Sequence, residues 1–131
     1  MTYILDTNTV IYFFRDLGNV ARRMTETPLD RIAIPSLVVY ELQVGIMKAT
    51  APRKRTEQLR LLMSHVASPA FGVAEALHAA AIRADLERRG QPIGPYDVLI
   101  AAVALARGAI LVTHNTKEFS RVKGLRLEDW Y

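Results

Sequence analysis

The run Ala109-Ile110-Leu111-Val112-Thr113 constrains this chain more than any other feature. It is short, apolar up to its last residue, and bounded by Gly108 on one side and His114-Asn115-Thr116 on the other. A strand with one wet face alternates apolar and polar residues. An unbroken apolar run instead suits a parallel sheet covered on both faces. Parallel strands need crossover connections, usually helices, and the rest of the chain supplies them. Thr2 to Asp6, Arg31 to Ile34 and Leu125 to Leu127 read as further short strands. Val10 to Phe14, Asn19 to Glu26, Leu37 to Lys48 with Ser36 as N-cap, Arg53 to His65, Val73 to Arg89 and Val98 to Arg107 read as helices. A short helix falls within His114 to Val122, Gly90 sits at the C′ position of its helix, and a further short strand is open around Ser68 to Gly72. The expected fold is α/β, with a small, mostly parallel sheet of about four or five strands flanked by helices.

The chain has 131 residues, enough for one domain, taken as residues 1–131. It contains no Cys, which excludes a disulfide framework, a thiolate zinc site and a Cys nucleophile. No apolar run approaches the ~18 residues needed to cross a bilayer. Met1-Thr2-Tyr3-Ile4-Leu5-Asp6 lacks the basic start of a signal peptide. A cytoplasmic protein without membrane association is the expectation. A formal net charge of +4 is compatible with a polyanionic partner without demanding one.

Acidic residues occupy positions where a folding argument alone does not need them. Asp6 ends the first strand, at the sheet edge where open α/β folds bind ligands; taken alone, an Asp before a helix is more often its cap. Glu41 lies between Leu37 or Val38 behind it and Val44 or Gly45 ahead, so its carboxylate faces the protein or reaches an Arg at the stripe's edge. Asp97 follows Gly94-Pro95-Tyr96 and opens the fully apolar run Val98 to Val103, where a helix N-terminus favours a carboxylate. Thr113, Asn115 and Glu118 follow the clearest strand; taken singly they are ordinary turn and cap residues. Together the acids mean more. Two carboxylates ~4 Å apart repel by roughly 4 kcal/mol at an effective dielectric of 20. A cluster therefore takes up protons or a cation. Oxygen-only ligands point to Mg²⁺ or Mn²⁺, and such an ion to phosphodiester hydrolysis.

At this point the chain resembles a known family. Leu5-Asp6-Thr7-Asn8, Glu41 in its apolar helix, Gly94-Pro95-Tyr96-Asp97 and Val112 to Phe119 match, in order, the motifs of PIN-domain proteins. The close, Gly124-Leu125-Arg126-Leu127-Glu128-Asp129-Trp130, is similar to VapC toxins of bacterial type II toxin–antitoxin systems, and the likeness spans essentially the whole chain. The resemblance implies a PIN-like three-layer sandwich and a Mg²⁺- or Mn²⁺-dependent endoribonuclease, held by a cognate antitoxin and homodimeric, with higher assembly through the antitoxin. By matching position it implies Asp6 and Asp97 as the main metal ligands and Glu41 as completing the cluster. Many family members carry Asp where this chain has Asn115. Glu118 is then the fourth carboxylate, reached through water, with Thr113 and Asn115 as hydrogen-bonding support. Thr7 and Asn8 cap the first helix and orient Asp6. Arg15, Lys117 and Arg121 are the candidates for holding the RNA backbone.

Two rival readings carry their own requirements. An aspartyl-phosphate phosphotransferase needs a second acid two residues after the nucleophile, where this chain has Asn8. A non-catalytic binding module would show a degenerate site, yet Asp6, Glu41 and Asp97 are all present. Tyr12, Phe13, Phe14 and Tyr40, with Val20 and Met24, read as core. Arg53-Lys54-Arg55 reads as a solvated helix face. His65 and His78 stand alone and read as structural, and His114 lies near the expected cleft.

Overall fold

A computed structural model describes residues Met1–Tyr131. Its strands are β1 (Tyr3–Leu5), β2 (Ile32–Ala33), β3 (Ile110–Val112) and β4 (Arg126–Glu128), in the order β2-β1-β3-β4. Every pairing is parallel, with Ile4 opposite Ala33 and Leu111, and Val112 opposite Glu128. The helices are α1 (Thr7–Phe14), α2 (Val20–Glu26), α3 (Ser36–Lys48), α4 (Arg53–Met63), α5 (Val73–Arg88), α6 (Pro95–Ala106) and α7 (Thr116–Phe119). The sheet is covered on both faces, as unbroken apolar strands require. Ile4, Leu5, Leu111 and Val112 are fully buried, and so is the run Ala101 to Ala104 of α6. After β1 the chain forms β2 on one side, then returns to lay β3 on the other. That reversal puts the switch point, and the crevice of such folds, at the carboxyl ends of β1 and β3.

Local differences from the sequence reading have physical causes. Helix α1 starts at Thr7 because Asp6 itself is the cap: its carboxylate accepts the Thr9 N–H at 2.9 Å. Thr7 and Asn8 therefore lie inside the helix and cap nothing. Ser36 is likewise the first residue of α3, not its N-cap; Pro35 takes that place and no side chain caps the end. Helix α6 begins at Pro95, earlier than the apolar run suggests, since proline is preorganised for a first helical turn. The open strand near Ser68 reduces to a single bridge between Ala33 and Ala67. Tyr12, Phe13 and Phe14 are only half-buried, and Tyr40 is 51% exposed. Val20 and Met24 are core. Arg53 and Lys54 are exposed, while Arg55 donates to the Phe14 carbonyl at 2.8 Å and so closes the end of α1.

After β4 the chain folds back over α1 and α2. Trp130 is buried against Tyr3, donates its indole N–H to Glu128 and lies under the Arg23 guanidinium. Gly18, at φ 62°, lets this segment approach: a Cβ there would sit 2.7 Å from the Tyr131 carbonyl carbon. Gly18→Ala is expected to cost about 2 kcal/mol, from the left-handed backbone alone and more if Tyr131 must move. A thermal melt checks this against Gly45→Ala, where nothing lies within 4 Å of the new methyl. There a helical Gly→Ala should stabilise by about 0.5–1 kcal/mol.

Candidate active site

Each acid is presented by an element that fixes its place. Asp6 leaves the carboxyl end of β1; its N–H donates to the Val112 carbonyl at 3.2 Å, which ties it to the neighbouring strand. The Thr9 hydroxyl donates to the same carbonyl at 3.1 Å. Asp6 is 6% exposed. Burial pushes its carboxyl above the ordinary carboxylate range, although hydrogen bonds from Thr113 and Thr9 pull the other way. Thr113, fully buried at the end of β3, also accepts the Asn115 N–H at 3.0 Å.

Glu41 is half-buried on α3 and accepts the Thr7 hydroxyl at 2.7 Å, so Thr7 holds Glu41 rather than Asp6. Asp97 lies in the first turn of α6, folded back so that its Oδ2 is 3.2 Å from where a Gly94 Cβ would stand. Glu118 lies in the first turn of α7 and accepts from the Asn115 amide at 3.3 Å.

The decisive property is electrostatic. Burial, and then the charges of Asp6, Glu118 and Glu41, push the Asp97 carboxyl up to about 6. Acids from β1, α3, α6 and α7 thus share one field at the carboxyl edge of the sheet. A helix N-terminus favours a carboxylate by about 0.3–1 kcal/mol, and here it is outweighed. No three His, Asp or Glu side chains close into a protein-only metal cage. The donors are all oxygen, and their unneutralised repulsion is what a hard cation relieves. Mg²⁺ needs no cage, since it usually takes one or two carboxylates and completes its octahedron with water and phosphate.

The cationic candidates part company. Arg15 is exposed and lines a groove of about 310 Å³ with Ile11, Phe14, Glu41, Ile46 and Arg55. Lys117 is exposed on α7. Arg121 donates one of its N–H groups to the Pro92 carbonyl at 3.1 Å and keeps others free to donate. Thr9 and Asp129 were not singled out from the sequence. Thr9 was legible as the third residue after a capping Asp. Asp129, whose charge also bears on Asp6, follows β4 as Asp6 follows β1, and only the parallel pairing of β4 reveals it.

The VapC endonuclease of Salmonella typhimurium named as tRNA(fMet)-specific is 35% identical over 130 residues, covering 99% of this chain and 98% of that one. A model described as the PIN domain matches residues 3–125. The chain belongs to the PIN-domain family, in its VapC branch. This PIN domain also superposes on the crystal structure of VapBC2 from Rickettsia felis bound to a promoter DNA fragment. The TM-score is 0.93 at 33% identity, with 100% of both chains covered. DNA-bound VapBC from Salmonella typhimurium gives 0.93 at 35% identity, over 100% of this PIN domain and 99% of that chain. No helix of this PIN domain is long and apolar enough to cross a membrane.

Proposed function

We propose that residues 1–131 form one PIN domain that hydrolyses RNA phosphodiester bonds with the help of Mg²⁺ or Mn²⁺. It would act as the toxin of a type II pair and be neutralised by a cognate antitoxin. The observation that carries the reading is the half-buried Asp97 carboxyl, which burial first, and then the charges of Asp6, Glu118 and Glu41, push up to about 6. Capping accounts for Asp6, but it does not require Glu41 and Glu118 to bear on Asp97 as well. The VapC relatives named as nucleases, and the VapBC structures, support the assignment of RNA as substrate and of an antitoxin as partner.

Asp6 and Asp97 would hold the ion, with Glu41 and Glu118 completing the acidic field. When bound, the ion would polarise a phosphate oxygen and lower the pKa of a water. Thr9 and Thr113 fix the Asp6 carboxylate, and Thr7 fixes Glu41. Glu118, which accepts from the Asn115 amide, would help to orient the attacking water. Arg15 and Lys117 would position the RNA backbone, whose phosphates are held without sequence reading. The groove beside Glu41 would take antitoxin side chains. Exposed Met47, Val73 and Leu77 are apolar surface that a second copy or the antitoxin would cover.

Incubation with mixed RNA and with initiator tRNA is the direct test. Cleavage is expected with Mg²⁺ or Mn²⁺ and none with excess EDTA. Cleavage that persists in EDTA removes the ion from the reaction.

A further inference from the structure

Beside the acids stands an aromatic cluster that hydrolysis does not use. The His114 imidazole lies on the Tyr131 ring, with centroids 4.3 Å apart and planes 23° from parallel. Tyr12 of α1 meets both edge-on, at 4.8 Å from Tyr131 and 6.0 Å from His114. These rings are not core: the His114 side chain is 47% exposed and Tyr131 is 42% exposed.

The stack is held from both sides. The Tyr131 carbonyl accepts from the Asn19 backbone N–H and side-chain amide, both at 3.0 Å. The Tyr131 N–H donates to Asp129 Oδ1 at 3.0 Å, and Asp129 Oδ2 pairs with His114 Nδ1 at 2.9 Å. Gly18 supplies the close approach described above. These contacts order two rings and leave them wet, a poor return for folding, since immobilised side chains lose entropy and exposed rings gain little burial. The location is specific. His114 directly follows Thr113, which bonds Asp6, and the Asp129 charge reaches Asp6 as well. The rings therefore stand at the rim of the acidic field.

An ordered, half-exposed aromatic plane next to a phosphodiester site matches an unpaired nucleobase. Every base offers a π face, and stacking on an aromatic side chain contributes about 1–3 kcal/mol. Proteins that recognise single-stranded RNA splay its bases onto such rings. We propose that His114 and Tyr131 form a base-stacking subsite for one unpaired base of single-stranded RNA, adjacent to the phosphate at the acid cluster. The subsite reads the base's face, so it favours unpaired over paired RNA and is tolerant of sequence. It deepens the ribonuclease reading and rests on it.

The test uses His114→Ala, Tyr131→Leu and the ring-preserving Tyr131→Phe, on a single-stranded oligoribonucleotide that the unaltered chain cleaves. Copies carry 2-aminopurine at successive positions, and binding is read on the slowly cleaving Asp6→Asn background, before cleavage sets in. Expected are quenching at one position beside the cut, its loss in His114→Ala and Tyr131→Leu, and its survival in Tyr131→Phe. With Asp6 intact, the first two variants should raise KM about tenfold with kcat unchanged. Should Tyr131→Leu fail to fold, His114→Ala alone decides. Cleavage by the unaltered chain with no quenched position, or an unchanged KM in His114→Ala, overturns the subsite and leaves the ribonuclease reading standing. Absence of cleavage of any RNA overturns the ribonuclease reading, and the subsite with it.

Discussion

Asp6→Asn is expected to leave a folded chain that cleaves RNA about 1,000-fold more slowly, a loss of roughly 4 kcal/mol of transition-state stabilisation. Asn is as good an N-cap as Asp, so its amide oxygen keeps the 2.9 Å bond from the Thr9 N–H. Volume and shape are conserved in a site that is 6% exposed. What disappears is the charge. Burial already raises the proton affinity of this carboxyl, so removing the charge should not lower Tm near neutral pH. Asp6→Ala is the less informative variant, because losing the cap costs about 1 kcal/mol of its own. The measurements are a cleavage assay in Mg²⁺, a thermal melt, and calorimetry with Mn²⁺, which should bind the parent and not the variant. If Asp6→Asn retains activity within tenfold of the parent, Asp6 is a cap and nothing more.

The same residue shows how far the sequence carries. Asp6 could be read as a cap or as a member of an acidic site, and its geometry makes it a cap that also contributes to the field on Asp97. Strands β1 and β3 were legible because burial on both faces demands apolar runs, and each run stops at a residue of the crevice, Asp6 or Thr113. Tyr40 is not core, because an aromatic residue in an apolar helix need not face inward. It lies two residues from both Val38 and Leu42, roughly 200° round the helix at 3.6 residues per turn, and so faces away from the core. The partnerships of Thr7 with Glu41 and of Asn19 with Tyr131 join residues far apart in the chain. No local period encodes them; they follow only once the sheet order has brought the segments together. Arg121 shows a contact of the same kind: its bond to the Pro92 carbonyl spans distant segments, and no local pattern discloses it.

Asp97→Asn should move activity and stability in opposite directions. Its carboxyl titrates at about 6, against an ordinary value of 3.8, because burial and then Asp6, Glu118 and Glu41 disfavour its charge. A carboxyl whose folded pKa is raised gives its full stability below about 3.8, and that contribution is lost as pH rises through about 6. Near neutral pH the folded chain therefore carries a charge it would be more stable without. The group is only half-buried, so solvent screening reduces the gain and a rise in Tm of a few degrees is expected in EDTA. Near pH 4 and below the parent is itself largely protonated here, and the difference should shrink toward zero. The one loss is the favourable interaction with the N-terminus of α6, about 0.3–1 kcal/mol, which the raised pKa shows to be the smaller effect. Mg²⁺ should reverse the ranking: a ligand that binds only the folded state stabilises it by mass action, and the parent should gain Tm where the variant does not. Cleavage should fall at least about 100-fold, the scale of losing one preorganised electrostatic contact to the reacting phosphate. A variant less stable than its parent near neutral pH in EDTA would mean that this carboxylate serves the fold, and would remove the electrostatic reason for placing an ion beside it.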